Sequence, residues 1–322
     1  MPPTRVKPFY QVIDGVKRCP LITPDRLKDI MNFVPKKGDI LQFSFPKAGA
    51  HWVQFTVQMI LQGGEPVQNY EDFTTATCLL DYIGLRDWDR PTTALYGLYM
   101  SHVLPPPENF NPEAKYIYTA RNPWDCCVSF YHMAKALDVY CFQEGTFEDF
   151  FESFLEGDFG YGDYFEHLLA GYSLKDEPNT LFLTYEDMKR DTRGTVMRIA
   201  RFLGEGYARA LEKNRGELLE RILENLTVDR MRGILVLNLA AHKDPRIDVR
   251  LKEKNVTASE GYEGCRTKFP FVRKGEVGGW KSYFSAEQLR RMEEAIVRKT
   301  RGSDVMDLWH EIREEARRLS EG

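Results

Sequence analysis

Asp39 to Leu61 reads DILQFSFPKAGAHWVQFTVQMIL, two apolar and aromatic runs separated by one Pro, one Lys and one Gly. The first run, Asp39 to Phe45, stops at Pro46 and has the pattern of a buried strand entering a turn. In the second, Trp52 to Leu61, apolar side chains crowd most faces of a helical wheel, which predicts a buried helix ending at Gly63-Gly64. The connection Pro46-Lys47-Ala48-Gly49-Ala50-His51 is short. Such a loop aims backbone N–H groups and the positive end of the helix dipole at whatever lies above it, and Lys47 selects an anion. A Pro-Gly turn with a solvated lysine is the competing reading. Neither GxxxxGK[ST] nor GxGxxG occurs in the chain, so the ordinary nucleotide-loop fingerprints are absent.

The same strand, loop and helix order repeats downstream. Tyr116 to Thr119 reads as a strand, followed by Asn122 as N-cap, Pro123 at the first helical position, and a helix with Trp124, Cys127, Val128 and Tyr131 on one face. Leu181 to Leu183 reads as a third strand feeding a helix over Thr192 to Leu203. Alternating strands and helices predict an α/β fold with a central parallel sheet flanked by helices. Ser285 with Gln288 forms a capping box, and Ser303 is expected to open a helix with Val305, Leu308, Trp309 and Ile312 on one face. Asp229 to Phe271 is mixed, charged and Gly-containing and reads as a long functional loop. With no linker or repeat, the expectation is a single domain over 1–322.

A formal charge of −4 excludes a general polyanion binder, so no nucleic-acid partner is expected and an anionic ligand must find its positive charge locally. The first ten residues contain no apolar signal region and no stretch reaches the roughly 20 apolar residues of a membrane span, so the expectation is a cytoplasmic protein with no membrane partner. The six cysteines show neither CxxC pairs nor zinc spacing, which favours free thiols and predicts no metal.

Two further motifs carry chemistry. Tyr116-Ile117-Tyr118-Thr119-Ala120-Arg121-Asn122-Pro123-Trp124-Asp125, with Ser129 beyond it, sets an arginine at a strand's C-terminal end, where open α/β sheets bind ligands. Phe271-Val272-Arg273-Lys274-Gly275, with Gly278-Gly279-Trp280-Lys281, is a basic loop whose glycines let backbone approach a phosphate. In isolation each also reads as a surface feature, an ion pair in the first case and a flexible charged loop in the second.

Together, in this order and spacing, the three motifs resemble those of the cytosolic sulfotransferase family, as do Leu61-Gln62-Gly63-Gly64, Tyr161-Gly162-Asp163-Tyr164 and Thr184-Tyr185-Glu186-Asp187-Met188. The resemblance runs from about residue 20 to 300 and implies a P-loop-kinase-like sulfotransferase fold. The cofactor it implies is 3′-phosphoadenosine 5′-phosphosulfate (PAPS), released as adenosine 3′,5′-bisphosphate (PAP). It places Lys47, Ala48, Gly49, Ala50 and His51 around the 5′-phosphosulfate and Arg121, Ser129, Arg273, Lys274 and Gly275 around the 3′-phosphate. Trp52, Tyr185 and Thr227 would flank the adenine. Tyr99-Met100-Ser101-His102-Val103-Leu104-Pro105 resembles the family's Lys-Thr-His-Leu-Pro, which makes His102 the general base beside Lys47 as the second catalytic residue. A histidine suits that task because its ordinary pKa lies near operating pH.

Departures from the family pattern are concentrated at the reacting end. Ala48, Ala50 and His51 stand where the family has hydroxyls, and Met100 replaces a lysine. They keep open the alternative of a catalytically weakened homologue acting as a binding protein. By position the resemblance also implies an acceptor pocket of Leu79, Leu80, Asp81, Tyr82, Phe130, Tyr131 and Tyr164, suited to a small phenol. Asp81, Asp138 and Asp163 near its rim could attract an ammonium group, which favours a phenolic monoamine such as dopamine or octopamine, while solvated acidic faces are the competing reading of these residues. His51 has two readings: an anion donor whose pKa rises on cofactor binding, or an imidazole turned away from the anion and packed on the helix. The segment Lys281, Ser285, Ala286, Arg290 departs from the family's dimerisation motif, so a monomer or a dimer through another surface is expected.

Overall fold

A computed structural model describes residues 5–85, 96–238 and 268–322. A short hairpin, β1 (Gln11–Ile13) and β2 (Val16–Arg18), precedes the main sheet. That sheet holds β3 (Ile40–Ser44), β4 (Cys78–Leu79), β5 (Leu98–Ser101), β6 (Lys115–Ala120) and β7 (Thr180–Thr184) in the order β4-β5-β3-β6-β7, every neighbour parallel. All five residues of β3 are buried, as expected for a strand covered on both faces.

The two-residue alternation of the strands feeds two separate cores. Leu41, Phe43, Tyr116 and Tyr118 face one layer, with the Pro123–Ala136 helix and an aromatic cluster around Phe45, Phe130, Phe150 and Phe159. Ile40 and Ile117 face the other, with the Ala50–Leu61 and Thr192–Leu203 helices. The Ala50–Leu61 helix is buried at Ala50 and from Trp52 through Ile60, with His51 half-buried, consistent with its apolar residues on most faces.

Strand order decides where a ligand fits. From β3 the chain progresses to β4 and β5 on one side, then crosses to β6 and β7 on the other. Beyond the C-terminal ends of β3 and β6, where that direction reverses, an open parallel sheet leaves a crevice. The elements after β3, β5, β6 and β7 all begin on that edge.

The strand, loop and helix units around Lys47 and Arg121 form as read from the sequence, including the Asn122 N-cap, which accepts from Asp125 N, and the Ser285–Gln288 capping box. Other readings are corrected. The stretch after Ser303 is a 3-10 turn (Val305–Trp309) followed by a separate helix (His310–Ser320), with Leu308 exposed. The stretch read as a loop from Asp229 starts inside a helix (Val228–Ile234) and continues into β8 (Val236–Asn238), which pairs antiparallel with β9 (Lys268–Pro270). The interior of that stretch, 239–267, lies outside the described residues. The β8–β9 pair sets Phe271 at the end of a strand instead of in a free loop. Among the described residues no helix is long and apolar enough to cross a membrane.

Candidate active site

Lys47 occupies the turn after β3 with φ +71, a left-handed conformation that is costly for a residue with a Cβ and tends to concentrate at functional sites. Gly49 follows at φ +110 as N-cap of the Ala50–Leu61 helix. A Cβ there would lie 2.9 Å from Met188 Cε and 3.0 Å from Tyr185 Cδ2, so glycine is required by both conformation and space. The first-turn N–H groups of the helix therefore open onto the crevice.

One cavity gathers most of the residues picked out by sequence. Lys47, Gly49, Ala50, His51, Trp52, Tyr82, His102, Arg121, Ser129, Tyr185, Arg273, Lys274 and Gly275 all line it. Ala48 does not: it is buried in the turn with its N–H on the Phe45 carbonyl at 3.2 Å. Thr227 does not either, because its exposed side chain donates to the Glu224 carbonyl at 3.2 Å, while its neighbours Leu226 and Val228 take the cavity wall.

The cavity is cationic in an otherwise acidic protein. Burial, then Arg121 and Arg273, push the Lys47 ammonium down to about 8. Arg121 places its guanidinium carbon 4.3 Å from the Tyr185 ring centroid and donates to the carbonyls of Lys47 at 3.3 Å and Glu276 at 3.0 Å. Its Nε is buried without a hydrogen-bond partner. Arg273 is pushed down by burial and by Arg121, and its backbone carbonyl is held by Arg232 at 2.6 and 3.1 Å. Three mutually repelling cations, one with an unused buried donor, fit an anion with more than one negative group.

Asp125 orders this array. Its buried carboxylate lies 4.0 Å from Arg121 and accepts from Gly278 N at 2.8 Å and Trp280 N at 3.1 Å, tying the basic segment to the Pro123–Ala136 helix. Asp125 stands inside the quoted motif but received no role from sequence. Lys189 also lines the cavity and was missed, lying one turn beyond Tyr185 in a helix (Tyr185–Arg190) too short to announce itself.

β5 leads into His102, which lines the same cavity. Its Nδ1 is 2.9 Å from the Ser44 carbonyl, and its backbone N–H donates to Asp81 Oδ2 at 2.6 Å. Asp81 also accepts from Ser101 Oγ at 2.6 Å. Burial lowers the His102 pKa and Asp81 opposes that shift. Tyr82 and Tyr161 join hydroxyls at 2.7 Å and present ring edges to the imidazole, with centroids at 6.4 and 5.9 Å.

Of the expected acceptor wall, Tyr82 alone lines this cavity. Leu79 and Leu80 are in the cores, Phe130 is inside the aromatic cluster, Tyr131 packs on Phe147, and Tyr164 donates to the Arg121 carbonyl. The expected acidic rim is also corrected. Asp81 is buried behind His102, Asp163 caps a helix and pairs with Lys299, and Asp138 accepts from Gln143 at 2.9 Å. Among the described residues no group of three or more His, Cys, Asp or Glu is placed to hold a metal.

Of the two readings of His51, the packed imidazole is the one the geometry matches, with aromatic side chains as its partners. Its ring stacks on Phe271 at 4.0 Å, Nε2 is 3.4 Å from Tyr70 Oη, and burial followed by Lys47 holds its pKa well below the ordinary value. It is a neutral, stacked side chain.

A parallel sheet whose strand ends converge on a cationic crevice, with a histidine at one end, defines an α/β protein built for an anionic ligand. Comparison with known proteins gives the family: the Sulfotransferase domain matches residues 37–304, and the chain belongs to the sulfotransferase family. It is 28% identical to sulfotransferase 1C2 of Homo sapiens over 291 residues, covering 88% of this chain and 90% of that protein. Amine sulfotransferase of Oryctolagus cuniculus is 27% identical, with 88% and 87% covered. Among solved structures, mouse sulfotransferase SULT7A1 complexed with PAP superposes with TM-score 0.69 at 23% identity, covering 95% of this chain and 99% of that one. A retinol dehydratase in complex with androsterone and PAP gives 0.64 at 23% identity, with 87% and 86% covered. The chain is thus a sulfotransferase by family, with the α/β fold of its structural neighbours.

Proposed function

We propose that this protein transfers the sulfuryl group of PAPS to the hydroxyl of a small aromatic acceptor. The observation that carries this reading is the convergence of Lys47, Arg121 and Arg273 on one cavity that also holds His102. PAPS fits this lining because it bears separate 5′ and 3′ anionic groups, and when bound it supplies an activated sulfuryl group. The first-turn N–H groups of Ala50, His51 and Trp52 receive the 5′ end, with Lys47 beside them. Arg121, Ser129, Arg273, Lys274 and Gly275 hold the 3′-phosphate, and Trp52 and Tyr185 flank the base. These anchoring residues act on binding and orientation.

Lys47 stabilises negative charge as it develops on the departing oxygen. His102 uses Nε2, because a carbonyl partner can only accept and so Nδ1 carries the proton. The base removes the acceptor's hydroxyl proton as that oxygen attacks sulfur. Tyr82 and Tyr161 beside the imidazole favour a flat ring. A phenolic monoamine, the earlier expectation, draws no support from Asp81, Asp138 or Asp163, each of which has another partner. The named activity of the rabbit relative keeps amines among the compounds to test.

Incubating the purified protein with radiolabelled PAPS and a panel of simple phenols, monoamines, steroids and sugars tests the reading. Label appearing on phenols supports it. PAP binding with no transfer to any acceptor would instead identify a binding protein that has lost turnover.

A further inference from the structure

The mechanism leaves the side chain of His51 without a task, although it lines the cavity where the family pattern has a hydroxyl. Its surroundings supply one. His51, Tyr70, Phe73 and Phe271 form a set of nearly parallel rings: Phe271 lies 4.0 Å from His51 at 21° and 5.0 Å from Tyr70 at 26°, and His51 lies 5.5 Å from Phe73 at 18°. Tyr70 and Phe73 are buried in a helix (Tyr70–Ala76), so the surface they make with His51 is held by elements other than the one that carries Phe271. Phe271 directly follows β9 and uses each of its groups: N–H to the Leu235 carbonyl at 3.0 Å, carbonyl to Lys47 Nζ at 3.4 Å, ring to His51 and Tyr70. Arg273 and Lys274 follow two and three residues later.

We propose that His51 is a positioning residue: with Tyr70 it forms a flat aromatic seat for Phe271, and that seat holds Arg273 and Lys274 at the cavity wall. A threonine's hydroxyl could touch an anion but offers no flat face. This chain has exchanged a direct ligand for a stacking surface that acts on the opposite end of the bound nucleotide. Lys47, bonded to the Phe271 carbonyl, sits on the same contact, so the seat links the loop after β3 to the basic segment.

The inference rests on the proposed PAPS site and concerns the 3′-phosphate alone, which fixes the experiment. Calorimetry compares PAP with adenosine 5′-phosphate for the wild type, Arg273→Ala, His51→Ala, His51→Phe and Phe271→Leu. His51→Ala and Phe271→Leu are expected to lose about tenfold in PAP affinity while adenosine 5′-phosphate affinity stays within about twofold. His51→Phe, which keeps a flat ring and removes both nitrogens, should restore PAP affinity to within about threefold of wild type. In His51→Ala/Arg273→Ala the losses should fall short of additive, since both act through one contact. Equal losses in His51→Phe and His51→Ala would show that the nitrogens touch the ligand and overturn the proposal. So would equal losses for the two nucleotides in His51→Ala. If His51→Ala does not fold, Phe271→Leu decides the same point from the other side of the stack. A wild type with no preference for PAP, or Arg273→Ala without effect, overturns the cofactor site itself, an outcome distinct from a wild-type preference that His51→Ala leaves intact.

Discussion

His102 Nδ1 lies 2.9 Å from the Ser44 carbonyl, across the neighbouring strands β5 and β3. Ser44 ends the strand that leads into Lys47, so one hydrogen bond fixes both the tautomer of the proposed base and its place beside the proposed catalytic cation. Replacing His102 by Ala should lower turnover by about 10²–10⁴, the usual worth of a general base. PAP affinity should stay within about twofold, because the base acts on the acceptor. Single-turnover transfer and calorimetry check the two halves, and turnover within about tenfold of wild type would remove His102 from the mechanism.

The pH profile follows from the same environment. Burial lowers the His102 pKa, and Asp81, bonded to its backbone N–H, raises it in part. The base works when neutral, so activity should persist below the ordinary histidine value of about 6.5 and fall only at lower pH. Asp81→Asn removes the opposing charge and should move the acid limb lower still. The dependence of kcat/KM for the acceptor on pH, measured in both proteins, tests the sign; a limb displaced upward in the variant would contradict the assignment.

Lys47 predicts the alkaline side. With its pKa at about 8 in the free protein, it loses its proton as pH rises through that value. An anion binds the protonated form better, so PAP affinity should decline above about pH 8, by up to about tenfold per pH unit. Lys47→Arg keeps its charge throughout and should flatten that decline, even if the different side-chain geometry lowers turnover. An identical decline in both proteins would assign the titration to another group.

Gly49 sets the geometry of the helix start, and substitution there separates two penalties. Gly49→Ala meets Met188 Cε and Tyr185 Cδ2 and also forces a side chain into φ +110. The expected cost is about 1–3 kcal/mol of stability together with weaker PAP binding. Adding Met188→Ala relieves only part of the steric contact, so denaturant midpoints should recover in part. Full recovery would mean that the backbone conformation is not strained.

The units around Lys47 and Arg121 were legible because continuous apolar runs, Pro, Gly and an Asn cap are local signals. The four residues of β5 carry no such signal, and His102 was found by motif resemblance alone. Asp81 shows the limit of spacing: its position in the acceptor region was read from the motif order, but whether a carboxylate faces the rim or the interior depends on Ser101 and His102 from another strand. The stack of His51 on Phe271 joins distant segments through β8 and β9, whose pairing neither run discloses. A histidine beside an anion loop therefore left a titrating donor and a packed imidazole open from sequence, and burial with the aromatic seat decides for the neutral, packed ring.

The last prediction concerns assembly. By the motif resemblance Lys281, Ser285, Ala286 and Arg290 correspond to the family's short dimerisation motif, and their polar groups have partners within this chain. Lys281 pairs with Glu315 at 2.5 Å, Ser285 caps its helix by accepting from Gln288 N, and Arg290 pairs with Glu287. Antiparallel pairing of two such segments would bring cation to cation around Ala286, a side chain with little apolar surface. The exposed ion pairs are worth little in themselves, but they remove the reward for finding partners on a second copy. A patch of this length also falls short of the roughly 1,200 Å² that stable interfaces bury. Light scattering at micromolar concentration should report a mass near 37.4 kDa. A dimer that Ala286→Glu converts to monomer would show that the segment still pairs, whereas a dimer indifferent to that change would place the interface on another surface.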